Sequence, residues 1–147
     1  MKIIHNEFNE FLGLLIKEKV EFLLIGGFAV AYHGYVRYTG DMDVWINATP
    51  DNASKLIAVI DAFGFETDEL LNLDFAKEPL VFHMGKEPLK IDVTTHISGV
   101  KFTDCYPFRI EAVIDGMLIP FIGLEDLKKN KKWSGRLKDL NDLENLP

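Results

Sequence analysis

The sequence predicts an α/β (α+β) domain in which a mixed β-sheet is flanked by helices and followed by a helical C-terminal tail. Its 147 residues suit a single domain, and a hydrophobic fraction of 48% is enough for a substantial core. Helix and strand patterns alternate in the first half, whereas strands and then helices are grouped in the second half. This order is typical of a mixed sheet. We expect one domain over residues 1–147, with the core at about 20–122 and the tail at about 123–147.

The first half contains five predicted elements. In chain order they are a helix over residues 6–19, a strand over 21–25, a short helix over 28–33, a strand over 41–46 and a helix over 50–63. Apolar residues at helical spacing predict the first helix, and Gly26 with Gly27 marks a turn after the first strand. Thr49 is a suitable N-cap and Pro50 suits the first helical turn, so together they predict where the last of these helices begins.

The second half contains strands followed by helices. We expect an acidic loop or short helix over residues 66–78, strands over 80–84, 89–94, 110–114 and 117–121, and helices from residue 123 onward. A Gly-Lys-Glu-Pro turn at residues 85–88 joins the first two of these strands. Asp115 and Gly116 form a strong turn signal and predict a hairpin between the last two.

The helical tail is divided and strongly basic. A break is expected near Ser134 and Gly135, and beyond it one face of the last helix is marked by Leu137, Leu140 and Leu143. Residues 128–138 contain six of the sixteen basic residues and no acid. Such a stretch is either a solvated helix face or part of a site for an anionic ligand.

Charge, cysteine content and hydropathy exclude several classes of protein. The net charge of −7 argues against broad nonspecific binding to nucleic acid. The single cysteine, Cys105, allows no internal disulfide and is compatible with a reducing cytosol. No apolar run reaches bilayer length, and the N-terminus is too polar and acidic for a signal peptide. We therefore expect a cytoplasmic protein that does not bind a membrane.

Three aspartates on two predicted strands are the candidate catalytic residues. Asp41 and Asp43 are two residues apart, so on a strand both point to the same face, while the apolar residues between them point into the core. Two such acids repel each other unless a cation, most simply a divalent metal, lies between them; a solvated edge strand is the alternative. Asp92 interrupts another apolar strand in the same way. If the two strands are neighbours, the three carboxylates converge near Gly26 and Gly27.

Gly26 and Gly27 lie where the first strand meets a helix. Glycine lets the backbone approach a ligand closely, and the free N–H groups at a helix start favour phosphate. A plain turn is the alternative, since neither the dinucleotide-binding fingerprint nor the P-loop motif follows.

The spacing of these residues resembles that of the nucleotidyltransferase superfamily related to DNA polymerase β. The resemblance rests on Gly26 and Gly27, on Asp-Met-Asp at 41–43 after thirteen intervening residues, and on a later apolar strand that contains Asp92. The string HGYVRYTGDMD at 33–43 resembles a subgroup that includes lincosamide nucleotidyltransferases and the nucleotidyltransferase toxins of type IV toxin–antitoxin systems. The segment GRLKDL near the C-terminus is similar to a motif of those proteins. The resemblance implies a minimal nucleotidyltransferase fold.

The resemblance also implies a two-metal site for an NTP. Asp41 and Asp43 would hold Mg²⁺ (or Mn²⁺) ions bound to the triphosphate. Asp92 would complete the second metal and help to deprotonate an acceptor hydroxyl. Paired ions of this kind stabilise both the entering and the leaving oxygen of an in-line displacement.

Six residues are the implied nucleotide-binding candidates, namely Gly26, Gly27, Arg37, Thr39, Lys132 and Arg136. The two glycines would bind the triphosphate through backbone amides. Arg37 and Thr39 would contact phosphate or brace the strand that holds the metal. Lys132 and Arg136 are four residues apart on a helix, hence on one face, where they would bind the β- and γ-phosphates or the leaving pyrophosphate; a solvent-exposed face is the alternative.

The predicted function is transfer of a nucleoside monophosphate from an NTP to a hydroxyl, with release of pyrophosphate. The acceptor is left open between a small molecule, an RNA end and a protein side chain. Little chain is left for a dedicated acceptor-binding domain, so we expect a homodimer, a protein partner or a small acceptor. The alternatives are a non-catalytic nucleotide-binding or toxin–antitoxin interaction module, and a metal-dependent phosphohydrolase that uses the same acids.

Overall fold

The computed structural model describes residues 5–75, 77, 79–86 and 89–147. Within them, the strands are β1 (Phe22–Ile25), β2 (Asp41–Ile46), β3 (Val81–Lys86), β4 (Leu89–Thr94), β5 (Ile110–Ile114) and β6 (Met117–Phe121). The α-helices are α1 (Asn6–Lys17), α2 (Gly26–Tyr32), α3 (Pro50–Ala62), α4 (Asp68–Leu71), α5 (Phe102–Cys105), α6 (Leu124–Ser134) and α7 (Leu137–Asn145). A 3₁₀ helix, Tyr106–Phe108, follows α5. None of these helices has the length and apolar character needed to cross a membrane.

The strands form one mixed sheet in the order β3-β4-β2-β1-β6-β5. The central strands β1 and β2 are antiparallel to each other, and each has a parallel neighbour on its other side, β6 and β4 respectively. The two edges of the sheet are antiparallel pairs, β3 with β4 and β5 with β6. This topology confirms the predicted mixed sheet and makes β2 and β4 neighbours.

Apolar residues at helical and strand periodicity form the core. The buried stripe of α1 consists of Phe8, Phe11, Leu12 and Leu15. On β2, the fully buried side chains of Met42 and Val44 alternate with Asp41 and Asp43, which are only partly buried. One face of β2 therefore packs into the core, and its other face carries the two acids.

The start of α3 is fixed by side-chain hydrogen bonds. The Thr49 side chain accepts a hydrogen bond from the Asn52 N–H at 3.2 Å, and Pro50 occupies the first turn, as the sequence predicts. The buried side chain of Asn52 in turn accepts from the Glu21 N–H at 2.7 Å and donates to the Glu21 carbonyl at 3.0 Å. These contacts hold α3 against the residue that precedes β1.

The structure differs from the sequence expectations at the element boundaries. Gly26 and Gly27 form the first turn of α2 instead of a separate turn before it. The sequence predicts no helix for residues 102–108, yet α5 and the 3₁₀ helix form there around the buried Phe102 and Cys105, in a segment too short to show periodicity. The turn predicted at residues 85–88 includes residues 87 and 88, which lie outside the described residues.

The buried face of α7 is acidic. Leu137 is 87% exposed and Leu140 is 38% exposed, so the predicted leucine face is not the buried one. Asp139 and Asp142 are buried instead, because cations from α6 and from the segment before β2 form ion pairs with them. Much of the contact between α7 and the rest of the protein is therefore electrostatic.

Candidate active site

The pairing of β2 with β4 brings the predicted acids onto one face of the sheet. The two strands run parallel, with Asp43 directly opposite Asp92 and Asp41 opposite Lys90. Directly opposed residues of neighbouring strands share a face, so all four side chains lie on the face turned away from Met42. The strand arrangement on which the three-acid prediction depends is therefore present.

Two basic side chains contact these acids. Nζ of Lys90 lies 3.8 Å from Oδ2 of Asp41 and 3.7 Å from Oδ2 of Asp92. His83, on β3 opposite Asp92, approaches Oδ1 of Asp92 with Nδ1 at 2.5 Å. Asp92 is therefore contacted by Lys90 of its own strand and by His83 of the edge strand β3.

The surroundings of Asp43 raise the pKa of its carboxyl. Burial, and then the charges of Asp92 and Asp41, raise the pKa of Asp43 from 3.8 to about 6, while Lys138 and Lys131 act in the opposite direction. A partly buried carboxyl with a raised pKa among like charges is typical of a functional site. A cation bound here would favour its ionised form.

The donor set fits a divalent cation, although its members are not gathered around one point. Oδ1 of Asp41 is buried and accepts no hydrogen bond from any described residue. Carboxylate oxygens are the ligands that Mg²⁺ prefers, and a cation would satisfy this one. In the described part of the chain, however, no group of three or more histidine, cysteine, aspartate or glutamate side chains is arranged to hold a metal ion.

Gly26 and Gly27 lie directly against this acidic strand. Gly26 has a φ of +63°, and a Cβ at this position would lie closer than 3.0 Å to the Asp43 side chain. A Cβ on Gly27 would lie equally close to the side chain of Thr39. Glycine is therefore required at both positions for the start of α2 to approach β2 this closely.

Thr39 and Arg37 brace the segment before β2. Oγ1 of Thr39 donates a hydrogen bond to the Asp41 carbonyl at 3.1 Å. Arg37 donates through Nε and Nη2 to the two carboxylate oxygens of Asp142, at 2.7 and 2.8 Å, and this hydrogen bonding raises the pKa of Arg37. These contacts correspond to bracing, and both residues also line a small cleft beside Asp43.

Two clefts meet at Asp43. The small cleft has a volume of about 230 Å³ and is lined by residues that include Gly27, Tyr38, Thr39, Asp41, Asp43 and Lys138. The large cleft has a volume of about 480 Å³ and is lined by residues that include Gly26, Asp43, Ser98, Asn130, Lys131 and Arg136. A ligand atom beside Asp43 can therefore be reached from both clefts.

Lys132 and Arg136 lie on different elements. Gly135 adopts a left-handed φ of +68° and ends α6 at Ser134, and Arg136 is the N-cap of α7. The expectation of a shared helix face is therefore wrong. Lys132 is exposed and lines neither of the two clefts, whereas Arg136 lines the large cleft and donates to Asp139 at 2.8 Å.

Lys131 is the basic residue of α6 that points inward. Its Nζ lies 2.9 Å from Oδ1 of Asp139 and 3.0 Å from Oδ2 of Asp142, and all three side chains are buried. Burial alone would raise the pKa of Asp139, but hydrogen bonds from Ser134, Lys131 and Arg136 outweigh it and lower this pKa to about 2. The network joins α6 and α7 along one side of the large cleft.

Sequence reasoning missed four basic residues at the site, namely His83, Lys90, Lys131 and Lys138. Strand alternation places Lys90 on the same face as Asp92, two residues before it, but does not show that Lys90 contacts Asp41 as well. His83 could have been found only from the register of β3 with β4. Lys131 and Lys138 could not be distinguished from the other lysines of 128–138, because their orientation depends on where α6 ends and how α7 is rotated.

Solved structures of other proteins share this fold. A Thermotoga maritima protein provisionally described as a nucleotidyltransferase is 16% identical, with a TM-score of 0.64 over 97% of this chain and 94% of that one. The lincomycin-bound lincosamide antibiotic adenylyltransferase LnuA is 18% identical, with a TM-score of 0.62 over 97% and 96% of the two chains. The antibiotic-resistance factor ANT(2'')-Ia is 13% identical, with a TM-score of 0.60 over 94% and 79%.

These likenesses establish a nucleotidyltransferase-like fold, which is the fold that the sequence resemblance implied. No protein-family model matches the sequence, and no curated protein sequence matches it.

Proposed function

We propose that this protein is a metal-dependent nucleotidyltransferase that moves a nucleoside monophosphate from an NTP to a hydroxyl acceptor and releases pyrophosphate. The observation that carries the proposal is the shared face of β2 and β4, where Asp43 lies opposite Asp92 and two residues from Asp41. The nucleotidyltransferase-like fold supports it. The glycine start of α2, packed against Asp43, supports it independently.

The donor nucleotide places its triphosphate in the small cleft. Asp41 and Asp43 both line this cleft and would hold a divalent ion, Mg²⁺ or Mn²⁺, which neutralises the phosphates and the developing charge when it is bound. Lys138 lines the same cleft and supplies a protein cation to the phosphates. Thr39 keeps β2 in position through its hydrogen bond to the Asp41 carbonyl.

The acceptor reaches the α-phosphorus from the large cleft. Asp92, opposite Asp43 on the shared face of β2 and β4, accepts the proton of the attacking hydroxyl. The oxygen–phosphorus bond to pyrophosphate breaks as the new oxygen–phosphorus bond forms, and the leaving group remains beside Lys138. Arg136, on the wall of the large cleft, is a further cation near the reacting groups.

Thermal unfolding with nucleotide tests the donor site. In the presence of Mg²⁺, at least one of the four NTPs should raise the unfolding midpoint of the wild type, because a ligand of the native state stabilises it by mass action. Asp43→Ala should abolish the rise. Asp61→Ala, which removes an exposed aspartate of α3, is the matched control and should retain it. No rise with any NTP at millimolar concentration would refute the proposed donor site.

Pyrophosphate release separates transfer from the alternatives. The NTP identified by the unfolding assay is incubated with Mg²⁺ and a panel of small hydroxyl compounds, RNA oligonucleotides and proteins. Pyrophosphate formed together with a modified acceptor supports transfer. Release of phosphate or free nucleotide with no modified acceptor would instead identify a phosphohydrolase.

The second candidate function is a non-catalytic nucleotide-binding or toxin–antitoxin interaction module. Two observations favour it: Lys90 lies between Asp41 and Asp92, and the described residues contain no preformed metal cluster. A lysine in that position partly neutralises the acids without supplying metal chemistry. This candidate predicts NTP binding without turnover, or a stable complex with a second protein.

A further inference from the structure

The burial of residues 35–39 alternates along the segment that leads into β2. Tyr35, Arg37 and Thr39 are partly buried, whereas Val36 and Tyr38 are each 83% exposed. Alternation of this kind normally directs polar side chains outward and apolar ones inward. Here an arginine and a threonine point inward, and a valine and a tyrosine point to solvent.

The inward residues hold the segment in place. Arg37 forms a two-point hydrogen bond with Asp142, at 2.7 and 2.8 Å, and Thr39 donates to the Asp41 carbonyl at 3.1 Å. Tyr38 lies between these two anchored residues. Its backbone is therefore fixed, and its exposed ring is presented at a defined position beside the site.

The position of Tyr38 relates it to the donor nucleotide. Tyr38 lines the small cleft together with Asp41, Asp43 and Lys138. The cleft volume of about 230 Å³ is below the range of pockets that enclose a drug-sized ligand, so it can hold the phosphates but not a whole nucleotide. The nucleoside then extends beyond the small cleft, and Tyr38 is an exposed aromatic side chain at the edge of that cleft.

We propose that Tyr38 is the stacking surface for the base of the donor nucleotide. This inference rests on the proposed function, because it requires the triphosphate to occupy the small cleft. A base stacked on an exposed tyrosine gains affinity through its π-face, which all four bases possess. Stacking on the π-face does not distinguish the four bases, so this contact alone favours none of ATP, GTP, CTP and UTP over the others.

The test compares a ligand that has a base with one that lacks it. Dissociation constants for Mg²⁺–ATP and Mg²⁺–tripolyphosphate are measured by calorimetry for the wild type, Tyr38→Ala, Tyr38→Phe and Val36→Ala. Tyr38→Ala should weaken ATP binding by about tenfold or more and leave tripolyphosphate binding unchanged. Tyr38→Phe retains the ring and should bind ATP like the wild type. Val36→Ala removes an equally exposed side chain of the same segment and should affect neither ligand.

Each other outcome has a distinct meaning. If Tyr38→Ala binds ATP as the wild type does, the stacking role is refuted. If it loses affinity for both ligands equally, Tyr38 shapes the phosphate cleft and does not bind the base, which also refutes the inference while leaving the proposed function intact. If the wild type binds neither ligand in Mg²⁺, the proposed function is refuted and the inference with it.

Discussion

The position of Asp43 suits the binding of a cation but is unfavourable for stability when no cation is bound. It lines both clefts, and it is partly buried beside two other aspartates. These surroundings raise the pKa of Asp43 to about 6, so its ionised form destabilises the native state near neutral pH. A cation bound beside Asp43 would reverse this effect.

The pH dependence of stability reports this effect. The pKa of Asp43 rises from 3.8 to about 6 on folding. Its contribution to the stability of the native state is therefore present below about pH 4 and is lost as the pH rises through 6. Asp43→Asn imitates the protonated form. Without metal, it should be more stable than the wild type by roughly 1–3 kcal/mol at pH 8 and no more stable at pH 4, as measured by urea unfolding. Asp61→Asn, at an exposed position, should show no such difference.

Gly26 permits a second prediction about a single residue. Alanine there costs about 1–2 kcal/mol for a left-handed backbone, and its Cβ displaces the Asp43 carboxylate. Gly116, in the β5–β6 turn, has a φ of +81° and nothing within 4 Å of a Cβ position, so Gly116→Ala is a matched control for backbone strain alone. Gly26→Ala should lose more stability than Gly116→Ala in urea unfolding, because it adds the contact with Asp43 to the backbone strain. Only Gly26→Ala should lose Mg²⁺–NTP affinity; equal affinity in the two variants would contradict the proposed role of this close approach.

The elements of the site differ in how far their own sequences determine them. The predicted bounds of β2 and β4 agree with the structure, because alternating aspartate and apolar residues leave only one face that can be buried. The spacing of Lys132 and Arg136 gives a shared face only on a continuous helix, and the left-handed Gly135 separates the two helices. The rotation of α7 was unpredictable from its leucines, since it is set by ion pairs with residues distant in the chain.

The α6–α7 ion network leads to a prediction at the level of these elements. Asp139 is buried, and its pKa is lowered to about 2, so its stabilising contribution is present above about pH 4 and is lost as the pH falls toward 2. Asp139→Asn should cost roughly 2–4 kcal/mol at pH 7, because it leaves Lys131 less compensated in the interior. The difference from the wild type should shrink as the pH is lowered from 4 to 2 in denaturant titrations. Glu144→Gln, at an exposed position of α7, is the control; a constant difference at all pH values would contradict this account.

At the scale of the whole molecule, the site lies between two parts of the chain that are far apart in sequence. The acids come from the central sheet, whereas Lys131, Arg136 and Lys138 come from the C-terminal helices. The protein has a net charge of −7, yet residues 128–138 hold six of its sixteen basic residues. An anionic ligand that enters the clefts would therefore meet basic side chains of these helices in a protein whose net charge is negative.

This arrangement predicts that a bound nucleotide stabilises the central sheet and the C-terminal helices at the same time. A triphosphate that contacts both Asp43, through metal, and Lys138 stabilises β2 and α7 at the same time, so hydrogen exchange should slow in both elements when Mg²⁺–ATP is added. Exchange in the edge strand β5, which contributes no lining residue to either cleft, should not change. In Lys138→Ala the residual protection should be confined to β2. Protection of β2 alone in the wild type would show that α7 does not take part in binding, and the phosphate role of Lys138 would then be wrong.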